Sequence, residues 1–210
     1  MIAINKNNIP QCFQDFIDNE HPQKWDDIHH SRANPQVYET CRKYILEIEQ
    51  HGISAYTECP LWNNANLHID HFRKKGMNWP VNQTFRWENL FVDERNNNYG
   101  ACYKDNNTSN KADYDSIIDP AQEDPEEYLT YVANGEMVPQ SAISSAKKHK
   151  AQFTCDRFNL NHEALVSKRC QIISYINEYY KGGMSCQDIR SALKDSGFPT
   201  VIEYALKLNA

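Results

Sequence analysis

The sequence contains no uninterrupted apolar run approaching the roughly 18 residues needed to cross a bilayer. Its opening stretch, Met1 to Glu20, has no charged segment followed by an apolar one. Neither a membrane span nor a secretion signal is expected, and a cytoplasmic location is. No C-x-x-C pair occurs among the seven cysteines, at positions 12, 41, 59, 102, 155, 170 and 186. An odd number cannot all pair internally, so free thiols in a reducing compartment are expected in place of a disulfide scaffold. Positive charge is also in deficit: 22 Lys and Arg against 28 Asp and Glu give a net charge of −6. No global field draws the chain to nucleic acid, and any such binding must be local or assisted by a partner. Internal repeats and low-complexity linkers are missing as well. What is there is 210 residues, 40% apolar and 24% charged, enough for one globular domain with a core or two small ones.

Ser31, Asn34 and Pro35 precede Val37, Cys41, Tyr44, Ile45 and Ile48, a start signal followed by apolar residues at helical steps. The pattern predicts a helix that Gly52 stops. Ile9, Phe13, Phe16 and Ile17 predict a shorter one beginning at Pro10, with His29 and His30 in a solvated connection. From Ile53 to Lys111 asparagine and aromatic residues rise, and short apolar stretches, Leu67 to Phe72 and Leu90 to Val92, stand between polar loops, as in a small β-containing insert. Helices are expected again over 125–132, 141–154, 162–180, 185–194 and 201–208. The chain therefore divides into an N-terminal helical segment (1–52), an insert (53–112) and a C-terminal helical region (113–210).

Most of the side chains able to do chemistry lie in the insert. In Leu67-His68-Ile69-Asp70-His71-Phe72, strand alternation places His68 and Asp70 on one face and Ile69 and His71 on the other, with the strand's end free to re-aim His71. A carboxylate beside an imidazole supplies the parts of metal-assisted hydrolysis: one holds a hard divalent ion, the other takes a proton from water. Asn98 offers a second oxygen ligand if a helix returns it over the strand, and such a set suits Mg²⁺ or Mn²⁺.

The order His71, Asn89, Asn98, with the last two nine residues apart, resembles the HNH (ββα-metal) nucleases. The likeness extends through Glu49-Gln50-x-Gly52-x-Ser54-Ala55-Tyr56-Thr57-Glu58, His68 to Arg73, Trp87-Glu88-Asn89-Leu90, Ile118-Asp119-Pro120, Glu123 to Glu126, Tyr128-Leu129-x-Tyr131, Gly135, and Phe158 to Asn161 with Arg169. Over Glu47 to Arg169 the chain resembles the PtuB-like HNH endonucleases of Septu and retron anti-phage systems. The resemblance implies an α+β fold, mostly helical, with an embedded ββα-metal hairpin and helix. It implies Asp70 and Asn98 as metal ligands, His71 as general base and Asn89 as the residue bracing the hairpin loop. The implied activity is phosphodiester hydrolysis with one catalytic Mg²⁺ or Mn²⁺, on DNA in preference, with structured RNA such as tRNA as an alternative. The implied partner is a PtuA-like ABC-type ATPase, with a retron reverse transcriptase and its RNA–DNA product as a further candidate. A non-catalytic scaffold descended from such a nuclease is the alternative from another class.

Two departures from that family bear on the site. Many members carry two C-x-x-C pairs around a structural zinc, and the matching positions here are Ser54, Thr57, Glu94 and Asn97, so no structural zinc is expected. Arg73 is followed by Lys74 where the family has proline, and the basic residue expected just after Asn98 is displaced to Lys104 or Lys111. His68 is a candidate for an additional metal or phosphate contact, against a hydrogen-bonded strand residue. Arg73, Lys74 and Lys75 are candidates for nucleic-acid backbone contacts. Trp62, Trp79 and Trp87 could stack on bases, although a small subdomain without zinc needs Trp87 for packing. The helices over 9–51 and 141–208 are the available docking surfaces for a partner, the C-terminal set preferred, so deleting 184–210 should weaken complex formation more than it damages the hairpin.

Overall fold

The computed structural model describes residues 1–209. The chain is helical over about half its length and carries two small antiparallel sheets, an α+β arrangement. No helix among the described residues is long and apolar enough to cross a membrane. In chain order the elements are α1 (Gln11–Glu20), α2 (Val37–Tyr44), β1 (Leu67–His71), α3 (Val81–Thr84), β2 (Leu90–Glu94), α4 (Gly100–Asn107), β3 (Leu129–Tyr131), β4 (Met137–Pro139), α5 (Ser145–Phe158), α6 (Glu163–Lys181), α7 (Cys186–Ala192) and α8 (Pro199–Asn209).

β1 and β2 pair antiparallel, with His68 opposite Asp93, Ile69 opposite Val92, Asp70 opposite Phe91 and His71 opposite Leu90. Because cross-strand partners share a face, the hairpin has two unlike sides. Ile69, Leu90 and Val92 join Phe13, Phe16, Trp25, Ile28, Val37, Cys41 and Ile45 in one apolar cluster. Phe72 and Phe91 join Tyr56, Tyr114, Phe158 and the buried residues of α5, α6 and α8 in another. The hairpin is thus the layer between the N-terminal helices and the C-terminal ones, and it is covered on both faces.

The outer edge of β2 is closed by a side chain. Gln50, wholly buried, accepts from the Val92 N–H at 2.6 Å and donates to the Val92 carbonyl at 2.8 Å. This satisfies the backbone groups an edge strand leaves unpaired. Gln50 is aimed there because α2 continues into one π-helical turn, Ile45–Glu49, ahead of Gly52. The same turn directs Glu49 to the Lys6 ammonium and the Trp87 indole N–H. Trp87 is 1% exposed and lies 5.0 Å from the Phe13 ring, a core residue.

One expectation needs correction. Residues 125–132 are not a helix. Asp124 caps a single 3-10 turn over Pro125–Glu127, and Leu129 and Tyr131 then point inward from β3. Gly135, at φ +80°, turns the chain into β4 so close to α6 that a Cβ would lie 2.9 Å from the Val166 carbonyl. The C-terminal helices are built into the core. Val201, Ala205 and Leu206 of α8 are core residues, and Thr200 donates its backbone N–H to Glu58, a wholly buried carboxylate that also pairs with the Met1 amine at 2.6 Å. Deleting 184–210 would remove the Thr200 contacts of Glu58 and open the larger core.

Candidate functional site

β1 sets the alternation on which the site depends. Ile69 and His71 face the N-terminal helices, while His68 and Asp70 face α4. The end of the strand does not re-aim His71. Its ring, 3% exposed, stands edge-on to Trp25 at 4.5 Å between centroids. Nε2 lies 3.1 Å from the Thr84 carbonyl oxygen. A carbonyl only accepts, so Nε2 carries the proton and Nδ1 the lone pair. Nδ1 has no partner among the described residues and is not one of the sealed-off polar atoms. Burial, and then the neighbouring Lys75 ammonium, push the imidazole down to about 3, so it is neutral at ordinary pH.

Asn89 closes the loop between Phe72 and Asn89 onto itself. Its Oδ1 accepts from the Arg73 N–H at 2.7 Å, and its Nδ2 donates to the carbonyls of Arg73 and Gln83 at 3.3 and 3.1 Å. Its own carbonyl accepts from the Phe72 N–H at 2.8 Å. Both ends of the loop are therefore fixed, including α3, whose last residue holds His71.

Asp70 is engaged from the other side. Tyr56 donates to Oδ2 at 2.7 Å, and the Lys104 ammonium lies 3.2 Å from the same oxygen. Burial would raise this carboxyl, but Lys104, then His68 and the Tyr56 hydroxyl, hold it below its ordinary value. Lys104 comes from α4 and is wholly buried, with further bonds to the carbonyls of His71 and Phe72 at 2.8 and 2.9 Å. It cannot reach a substrate phosphate from there, so the basic residue displaced to this position is not a phosphate contact in this conformation.

Asn98 is exposed, two residues ahead of α4 and not on it. Its backbone bonds to Asn96 and Asn159, and no hydrogen bond joins it to Asp70 or Lys104 among the described residues. The residues present do not fit a divalent ion shared by Asp70 and Asn98: one donor is occupied by an ammonium and the other faces solvent. Nor do three or more His, Cys, Asp or Glu side chains converge anywhere among the described residues.

No protein-family model matches the chain, and no curated protein is similar to it. The reading of the site rests on its own residues.

Around this centre the basic run separates into three roles. The Arg73 guanidinium lies over Phe72, Trp79 and Tyr114 at 5.8 to 6.0 Å. Lys74 donates to the Asp105 carbonyl at the end of α4. Lys75 is exposed, its ammonium 5.7 Å from the Trp25 ring and on the His71 side, the one member free to meet a phosphate. Trp62 is 51% exposed and covers Gly52, where a Cβ would overlap its indole. His68 is half-buried with Nδ1 unpartnered, and burial lowers its pKa.

At the positions where the PtuB-like nucleases that the sequence resembles carry zinc cysteines, Ser54 and Thr57 are buried and Glu94 accepts from Asn64 at 3.0 Å. β2 is tied to the start of α4 through Asp93, which accepts from the Ala101 N–H at 2.8 Å. Sequence reasoning quoted Gln50 and Tyr56 only within the resemblance, without a role, and passed over Asp105. Gln50 and Tyr56 act on Val92 and Asp70, 42 and 14 residues away, where strand or helix periodicity carries no signal, while Asp105 matters only because its neighbour Lys104 is turned inward.

Proposed function

We propose that this chain is an HNH endonuclease that hydrolyses phosphodiester bonds of nucleic acid. The observation that carries the reading is the state of His71. A neutral imidazole with Nε2 fixed on a loop carbonyl presents Nδ1 as a proton acceptor, as deprotonation of an attacking water requires. Asn89 supports the reading by clamping the loop that supplies that carbonyl. Lys75, exposed beside His71, would hold the backbone of the substrate. By resemblance the substrate is DNA, with structured RNA as the alternative, the required ion is Mg²⁺ or Mn²⁺, and the setting is an anti-phage complex with an ABC-type ATPase. We derive no step through the ion, because Asp70 and Asn98 do not converge.

The buried Asp70–Lys104 pair favours a second reading, a non-catalytic scaffold derived from such a nuclease, since a paired carboxylate can be purely structural. Plasmid nicking and tRNA cleavage, with Mg²⁺ or Mn²⁺ and with the ATPase partner present, separate the two. The nuclease reading expects cutting by the wild type, its loss in EDTA, and a fall of about 10²- to 10⁴-fold in folded His71→Ala. Equal rates for wild type and His71→Ala would refute it.

A further inference from the structure

The cage around the Lys104 ammonium has the composition of a divalent-cation site. Nζ lies 2.8 Å from the His71 carbonyl, 2.9 Å from the Phe72 carbonyl, 2.9 Å from Asp105 Oδ1, and 3.2 and 3.5 Å from the two Asp70 oxygens. Two carboxylates and two carbonyls are hard oxygen donors with two negative charges between them, the set that Mg²⁺, Mn²⁺ and Ca²⁺ prefer.

A lysine on a short surface helix ordinarily runs its stem over apolar surface and leaves its charge in water. Lys104 does the opposite. Its side chain is 0% exposed, and the ammonium lies 6.0 and 5.9 Å from the Tyr56 and Phe72 rings. Such burial is tolerable for a charge only when counter-charge and hydrogen bonds surround it, and this cage supplies both. The Asp105 side chain is 39% exposed, against 2% for Asp70, but its Oδ1, the oxygen facing the ammonium, is sealed from solvent.

We infer that Lys104 is the resident cation of the Asp70 site, so that a divalent ion and the Lys104 ammonium compete for the same oxygens. The two cannot share them, because a dication within about 3–4 Å of an ammonium meets a repulsion of several kcal/mol even at an effective dielectric constant of about 20. The site is closed to the ion while the Lys104 ammonium is in place. This rests on the nuclease reading only in giving the ion a use; the competition itself does not depend on catalysis.

The test is titration of the full chain with Mn²⁺, without nucleic acid, following free Mn²⁺ by electron paramagnetic resonance. Wild type, Asp70→Asn, Lys104→Met and the Lys104→Met/Asp70→Asn double variant are compared, with circular dichroism to establish folding. Wild type is expected to show no one-to-one site tighter than about 100 μM, whereas Lys104→Met gains one at least about tenfold tighter, lost again in the double variant. A tight wild-type site that Asp70→Asn abolishes would overturn the inference, and so would a folded Lys104→Met with no gain. Should Lys104→Met not fold, Lys104→Gln, which keeps an N–H donor for the two carbonyls without the charge, takes its place, with the same gain expected and the same absence of gain overturning the inference. Cleavage by wild type against His71→Ala judges the nuclease reading separately, since Mn²⁺ binding without substrate does not involve that imidazole as a base.

Discussion

Replacing Asp93 by asparagine should make the protein more stable, by an amount that grows with pH. Asp93 stands on β2 opposite His68 and is 1% exposed. Its Oδ2 accepts from the Ala101 N–H, whereas Oδ1 is sealed off without a partner. Burial pushes the carboxyl from 3.8 up to about 7, further than its hydrogen bond to Ala101 pulls it down. A folded-state value above the unfolded one means that the folded state keeps a proton the unfolded state has released. Stability from this group is greatest below the unfolded value, falls as pH rises through the interval up to about 7, and is level beyond. The amide side chain in Asp93→Asn would keep the acceptor for Ala101 and never ionise. Between pH 5 and pH 8 the variant's advantage over wild type should grow by about 3 kcal/mol, from about 2 pH units at about 1.4 kcal/mol each. For a chain of this length that is a widening of roughly 6–12 °C in Tm. Paired thermal melts at pH 5, 6, 7 and 8 measure the difference directly and cancel the titration of every other group. A difference that stays constant with pH, or that turns against asparagine at pH 8, would refute the burial argument.

Asn89→Ala removes one acceptor and one donor from three backbone partners, and should cost about 1–3 kcal/mol by denaturant melt while making the 73–88 loop the first site of limited proteolysis. Glu49→Ala leaves the buried Lys6 ammonium and the Trp87 N–H without their acceptor; a loss of about 3–5 kcal/mol is expected, and one under about 1 kcal/mol would show the pair to be dispensable. Deleting 184–210 should abolish cooperative unfolding, because Glu58 loses Thr200 and the core loses α8. Lys75→Ala should leave Tm within about 1 °C, since the side chain is exposed, and, on the proposed nuclease reading, weaken nucleic-acid binding and flatten its salt dependence by about one phosphate contact.

Local chemistry was enough to read the hairpin and most of the helices. Alternation in Leu67 to His71 and the apolar run after Asn89 specify two strands, because a side-chain period of two is a property of the extended backbone. The spacing of Leu165, Ile172, Ile173 and Ile176 similarly specifies α6. Residues 125–132 misled because proline and acidic residues start a 3-10 turn as readily as an α-helix; the outcome was settled by Gly135 packing against α6 and Tyr131 reaching Glu58, contacts 31 to 73 residues away. The residue types of the site, Asp70, His71, Asn89 and Asn98, were legible as a motif. Their roles were not all legible in the same way. Asn89 makes its bonds within the loop it closes, so its sequence position carries most of the information. Asp70 and Asn98 could meet only if α4 began early enough to carry Asn98 and presented no other cation. Instead α4 begins at Gly100 and brings Lys104 inward, 34 residues from Asp70 along the chain. A motif fixes which donors exist, but which of them meet depends on where a helix starts and which of its faces is buried, and those follow from packing against elements far away in sequence.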